Sequence, residues 1–370
     1  MPRTLPLFTL VALLCCMHTT ARGQKAPRVG AARERQIAAR FAPVFRQALG
    51  DHPRADYVTN FDFDGDWRGD NNWENTDDLK FHLRAYVYFA ASETVTHFYA
   101  YYALFHPRDY KGGSTAGPLL SDAIREGVRR GGRYDPTGLS SEAVLAHEND
   151  MEGCLVVAEK EGEDPARAHV ILVETLAHDR FLKYAPAGAS APASFTRLQL
   201  EGQSPLLFVE AKGHGLLAYD GGDKQEPRRG TLVYTYAGRA EDPEAVAKEK
   251  ETVSYELVPL YDTIWRRALA GSRETFGEVA DYGSLSFVAG AKRPAKRTKR
   301  LGRLGAAFLG TYGAPNAARP PWGWFDRSER GRPRGEWFFN PAATARRHLG
   351  RGADFSITYV SAPYLGIYRP

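Results

Sequence analysis

Cysteine is scarce in this 370-residue chain, with three in all, and Cys15 and Cys16 lie in an apolar N-terminal stretch that reads as a removable leader. That leaves Cys154, so a mature chain has no internal disulfide, and lone Cys154 inside an apolar run reads as a small core residue, not a nucleophile. Long apolar runs are also missing. The one from Leu5 to Met17 is too short to cross a bilayer, and no later run approaches that length. Gly-x-Ser-x-Gly does not occur, which removes the strand–turn–helix serine hydrolases. No glycine-rich phosphate loop of the P-loop or dinucleotide kind is present either. Neither sign of charge dominates. A formal net charge of +5 argues for neither nucleic acid nor a membrane surface as partner.

The first 23 residues look like a secretory signal: Arg3 ahead of the apolar core, then Ala21-Arg22-Gly23 with small residues flanking a cleavage point before Gln24. A secreted or periplasmic location follows. The rival, a lipid-anchored chain using Cys15 or Cys16, is disfavoured by the bulky Leu14. Residues 24–33 form a lead-in, residues 34–275 a β-rich domain, and residues 276–370 an extension packed on it.

Glu34 to Leu49 has apolar residues at helical spacing, interrupted by Pro43. Alternation from Leu79 to Ala91 and the aromatic run Thr94 to Phe105 predict a hairpin. Ser121 to Arg130 and Ser140 to Ala146 read as short helices. Further strands are expected at 153–160, 169–175, 206–211, 231–236, 253–260 and 354–359, with a helix at 261–269. Short alternating strands and few helices predict a mainly β fold, a β-sandwich core with peripheral helices; an α+β arrangement is the alternative.

Four patterns carry chemistry. Ala146-His-Glu-Asn-Asp-Met-Glu-Gly153 gathers His147, Asp150 and Glu152 in six positions ahead of an apolar strand. On a strand Asp150 and Glu152 project to one side, a pair suited to a hard divalent cation or a catalytic water. Asp62, Asp64, Asp66 and Asp70 have the 1, 3, 5, 9 spacing of a calcium loop. Trp67 stands where that loop needs glycine and Trp73 at its twelfth position, so an Asx-rich loop bonding its own backbone is preferred over a weak second metal site. Lys292 to Arg303 carries seven cations, read as a solvated loop or as a surface for anionic polymer or lipid headgroups. Trp322, Trp324 and Trp337 are packing anchors, or the lining of a sugar or headgroup site.

Strand ends at Asp109, at His147–Glu152 and at Gly213-His214-Gly215 come together in a β-sandwich. These pieces resemble the necrosis- and ethylene-inducing peptide-like (NLP) toxins and, more loosely, the vacuolar protein sorting-associated proteins of that superfamily. The toxins carry Gly-His-Arg-His-Asp-Trp-Glu; here Ala146-His-Glu-Asn-Asp-Met-Glu152 keeps the first His, the Asp and the Glu. Asn149 and Met151 stand where the toxins have His and Trp. Tyr102-Ala-Leu-Phe-His-Pro-Arg-Asp109 is similar to the family's Tyr-Phe-Pro-Lys-Asp segment, and His214-Gly215 to a late His-Gly pair. The resemblance spans roughly residues 35–270. It implies a secreted β-sandwich with a metal site of Asp109, His147, Asp150 and Glu152, with His214 in the pocket, holding Ca2+ or Mg2+. It further implies binding to a glycan or lipid headgroup. Two other functions fit the same residues: a metal-dependent phosphate or ester hydrolase with His147 or His214 as general base, and an envelope protein with a purely stabilising metal. Whether the protein is an enzyme stays open at this point.

Overall fold

A computed structural model describes residues 28–50, 52–109, 147–222, 225, 230–246, 251–310, 318–329, 331–352 and 354–369. The leader and the helices expected at 121–130 and 140–146 lie outside the described residues.

The fold is mainly β. Its strands are β1 (Val44–Ala48), β2 (Tyr86–Thr94), β3 (His97–Asp109), β4 (His147–Glu159), β5 (His169–Leu176), β6 (Phe181–Pro186), β7 (Thr196–Leu198), β8 (Leu200–Glu201), β9 (Ser204–Val209), β10 (Leu216–Ala218), β11 (Thr231–Tyr236), β12 (Thr252–Pro259), β13 (Phe276–Asp281), β14 (Ser284–Ala289), β15 (Ala295–Arg300), β16 (Arg303–Phe308) and β17 (Thr358–Ser361). One large sheet runs β10-β9-β1-β11-β12-β2-β3-β4-β5-β6-β7, with β17, β14 and β15 branching from β2 and β8 from β9. It curls until its β10 edge returns to β5, where the Thr175 hydroxyl donates to the Leu216 carbonyl at 2.6 Å. The sheet is therefore nearly closed.

Residues 44–48 correct a sequence expectation. Their apolar spacing predicts a continuing helix, but the helix spans Ala31–Arg40, and Val44 to Ala48 form a strand. That strand is pinned on both sides, parallel to β9 and antiparallel to β11. Pairing of both edges outweighs the weak helical preference of a five-residue segment that follows Pro43. The first hairpin strand likewise starts at Tyr86, not at Leu79, which is 71% exposed. The last strand falls at 358–361, later than the alternation suggests.

Two apolar cores lie on the two faces of the central strands. Inside the curl pack Phe45, Val87, Phe89, Tyr102, Leu104, Val156, Tyr234 and Tyr255, with Ile37 and Phe41 of the helix. That helix caps one end of the curl, with Arg33 bonded to Glu93 and to the Glu163 carbonyl. On the outer face Tyr99, Tyr101, Phe105, Met151 and Leu155 meet Trp265, Phe308, Trp322, Trp324, Trp337 and Tyr364 from later in the chain. All 13 residues of β3 are consequently buried. Trp322 and Trp337 act as anchors: their indole N–H groups donate to the Gly305 carbonyl at 2.7 Å and the Glu174 carboxylate at 2.6 Å.

Gly153 shows how tightly this outer layer sits. A Cβ there would lie 2.0 Å from the Tyr102 carbonyl oxygen and 2.8 Å from the Trp324 ring. Neither backbone nor a buried indole gives way cheaply. Gly153→Ala is expected to lower stability by about 3 kcal/mol or more, read as a drop in the urea midpoint.

Beneath Trp337, Glu174 on β5 is fully buried and meets His348 at 2.5 Å, and His348 meets Glu329 at 2.6 Å. Burial opposes charge on His348, but the two carboxylates prevail and raise its pKa to about 9. A histidine held above its unfolded value contributes stability that is complete below about pH 6.5 and is lost as pH rises through about 9. Thermal scans from pH 6 to 9.5 should show that decline, and His348→Gln should make it shallower.

Candidate functional site

The end of the curl opposite the helix carries the polar cluster. Alternation along β3 and β4 sends Tyr102, Leu104, Cys154 and Val156 into the inner core. The same parity turns His106, Asp150 and Glu152 inward one and two rungs further on, with His106 opposite Asp150 and Leu104 opposite Glu152. Asn149 interrupts the strand with φ 59°, a left-handed conformation that asparagine tolerates. Its amide nitrogen donates to the Gly69 carbonyl at 2.6 Å, and its oxygen accepts from the Asn72 amide at 2.6 Å. Asn149 thus ties the strand to the Asx-rich loop.

His214 joins from the tight connection between β9 and β10, where Lys212 and His214 both have positive φ. Its Nδ1 lies 2.9 Å from Asp150 Oδ2 and its Nε2 3.2 Å from Asp56 Oδ1. Asp56 also accepts from the Gly50 and Lys212 backbone N–H groups at 2.6 and 2.8 Å. His214 is completely buried, which disfavours its charge, yet the two carboxylates raise its pKa to about 10. It is an imidazolium at neutral pH, with both N–H groups committed.

His106 stacks on His214, ring centres 3.8 Å apart and planes 5° from parallel. Its tautomer follows from its neighbour. Gln47 spends its amide nitrogen on the Ala48 carbonyl, so its oxygen faces His106 Nε2 at 3.1 Å and accepts a hydrogen bond from the Nε2–H. Burial first, and then the adjacent His214 cation, push the His106 pKa well below the usual value. His106 is therefore neutral, with a lone pair on Nδ1 that is buried and has no hydrogen-bond partner. Glu152 has the complementary feature. Its Oε2 is buried without a partner, while Oε1 receives only a long 3.5 Å contact from the His178 N–H. Desolvation, then the charge of Asp150, drive its pKa well above the carboxylate range.

Asp109 and His147 face each other across the outermost rung, His147 Nε2 lying 3.3 Å from Asp109 Oδ2. That rung is three steps from the His106–Asp150 rung, about 10 Å along the strands. The structure thus brings Asp150, Glu152 and His214 together and sets Asp109 and His147 as a separate buried pair on the rim. Asp109 still contributes to the negative potential at Glu152.

The sequence reading missed His106, Asp56 and Gln47. His106 was legible in principle, immediately before Pro107 and one residue beyond the run read at 94–105, since strand parity sets it on the face of Tyr102 and Leu104. Asp56 gave no signal, because it lies in the short Pro53–Asp56 helix. Ligand atoms of His106, Asp150 and His214 lie within 4.8 Å of one another.

The Asx-rich loop satisfies its carboxylates locally. Asp62 accepts from the Asn60 amide, Asp64 from the Asn75 amide and the Asp66 N–H, Asp66 from the Asn71 amide and the Arg68 N–H, and Asp70 from the Arg68 guanidinium. Trp67 stacks on Phe61 and Trp73 is buried.

No protein-family model matches the chain, and no curated protein matches it. Among solved structures, it is similar to one described as a toxin fold for microbial attack and plant defense, with 17% identity over 54% of this chain and 74% of that one and a TM-score of 0.29. Necrosis and ethylene inducing protein 2 from the causal agent of cocoa's witches' broom disease is 16% identical over 50% of this chain and 68% of its own, with a TM-score of 0.28. The protein NLPPya in complex with glucosamine is 18% identical over 54% and 73%, also with a TM-score of 0.28. The structural neighbours are thus of the NLP toxin fold, but likeness this low assigns no residue a role.

Proposed function

We propose that the protein is a secreted, divalent-cation-dependent binding protein of NLP-like type. In this reading Asp150 and Glu152 supply carboxylate oxygens and His106 a neutral imidazole nitrogen to a calcium or magnesium ion. The His214–Asp56 pair behind Asp150 fixes that carboxylate's orientation. Asp109 and His147 add negative potential and a polar rim. The ion's remaining positions would take hydroxyl or phosphate oxygens of a glycan or lipid headgroup.

The observation that carries this reading is the bare, buried Oε2 of Glu152, a carboxyl on which the Asp150 charge acts. Two like charges in a dry site are unfavourable unless one is neutralised by a proton or a cation. The unpartnered Nδ1 lone pair of His106 offers a donor of the same character. Hydrolysis with His214 as general base is disfavoured, because an imidazolium bonded at both nitrogens has no lone pair to accept a proton. The test is calorimetric titration of EDTA-treated protein with Ca2+ and with Mg2+, for the wild type and Glu152→Gln. Saturable binding by the wild type alone supports the proposal. Absence of binding to the wild type, or equal binding by both proteins, overturns it.

A further inference from the structure

Residues 295–300 of the basic run form β15, which pairs antiparallel with β14 in a hairpin whose turn carries Lys292 and Arg293, and all six residues of β15 are exposed. Lys292, Arg293, Lys296, Arg297, Lys299 and Arg300 give it six cations and no carboxylate. Taking six from the chain's +5 leaves the rest at −1, so the basic balance of the whole protein resides in this hairpin. The partner strand provides no counter-charge: Ser284, Leu285, Ser286, Phe287 and Val288 stand opposite Arg300, Lys299, Thr298, Arg297 and Lys296. Among the described residues none of the six cations makes an ion pair, whereas Arg33, Arg54, Arg267, Arg327 and Arg347 each have a carboxylate partner.

Such crowding opposes folding through self-repulsion. Blunting an exposed edge strand takes only one or two lysines, and a merely soluble surface intersperses both signs. The excess therefore points to an external anion. Its shape follows from the strand. Cross-strand pairing sets Arg297 and Lys299 on the face of the core residues Phe287 and Leu285, and Lys296 and Arg300 on the other, yet all four are exposed. The strand is exposed along its whole length, with cations on both faces over about 13 Å. A flat bilayer meets one face of such a strand; a flexible chain follows its edge and meets both. No aromatic residue occurs between Gly290 and Arg303 on which bases would stack.

We propose that the β14–β15 hairpin binds a linear polyanion of the acidic polysaccharide class, its sulfate or carboxylate groups meeting Lys296, Arg297, Lys299 and Arg300. The test uses heparin as probe, with the full purified chain and calorimetry at several salt concentrations. The wild type should bind with log K falling linearly in log salt. K296Q/R297Q/K299Q/R300Q should bind at least about tenfold more weakly with a shallower slope, since each lost contact releases fewer counterions. R180Q/R197Q, which removes two exposed arginines elsewhere, should match the wild type, and EDTA in every titration excludes a contribution from the cation site. Circular dichroism establishes that each variant is folded. Wild-type affinity in the quadruple variant overturns the proposal. So does tighter binding of the wild type to double-stranded DNA, or to vesicles of phosphatidylserine and phosphatidylcholine, than to heparin at matched charge concentration.

Discussion

Replacing His214 by alanine is expected to lower the unfolding free energy by about 3–5 kcal/mol, the range for removing one partner from a buried ion pair. The imidazolium lies between Asp150 and Asp56, and all three side chains are buried or nearly so. Without it, the Asp56 carboxylate keeps the Gly50 and Lys212 backbone donors, and Asp150 keeps the Met151 N–H at 3.0 Å and loses the His214 cation. The His106 ring also loses its stacking neighbour. Urea denaturation of both proteins with EDTA present measures the effect without any contribution from a bound ion. A loss below about 1 kcal/mol, the scale of an exposed pair, would contradict the buried bridge described above. Asp56→Asn separates geometry from charge: it retains an acceptor for His214 but not the second negative charge, so it should fall between the wild type and His214→Ala.

Replacing Glu152 by glutamine should have the opposite sign on the metal-free protein. The amide is neutral and nearly isosteric, and it replaces a carboxyl that burial and the Asp150 charge oblige to take up a proton when no cation is bound. With EDTA present the variant is expected to equal the wild type or exceed it by about 1 kcal/mol. Divalent cations should then reverse the order. An ion at a hundred times its dissociation constant stabilises its host by about 2.7 kcal/mol, and Glu152→Gln should gain almost none of that. The crossing of two melting curves between EDTA and calcium, or magnesium, is the signature. A variant less stable than the wild type in EDTA would make Glu152 a structural carboxylate and remove the observation on which the cation reading rests.

Much of the fold was visible in the residues. The aromatic hairpin of β2 and β3 and the paired β4 and β5 follow from period-two patterning, which acts locally. Residues 44–48 were misread because a short apolar segment fits either period, and only its two neighbours, both more than 150 positions away, decide the outcome. The basic run was read as loop or binding surface because exposed charges carry no periodicity; its strand form comes from pairing with β14.

For the polar cluster the division has the same cause. The sequence by itself determined that Asp150 and Glu152 share a side, because alternation along a strand is a property of the backbone. It also determined that Cys154, which lies inside the core, is the one cysteine beyond the apolar N-terminal stretch. Only the tertiary structure decided that His106 stands across from Asp150, that His214 and Asp56 close on Asp150 from connections elsewhere in the chain, and that Asp109 keeps His147 on the rim. Which strand ends meet depends on sheet curvature and register, and these are set by the packing of the whole nearly closed sheet on its inner and outer cores and not by any short stretch of residues.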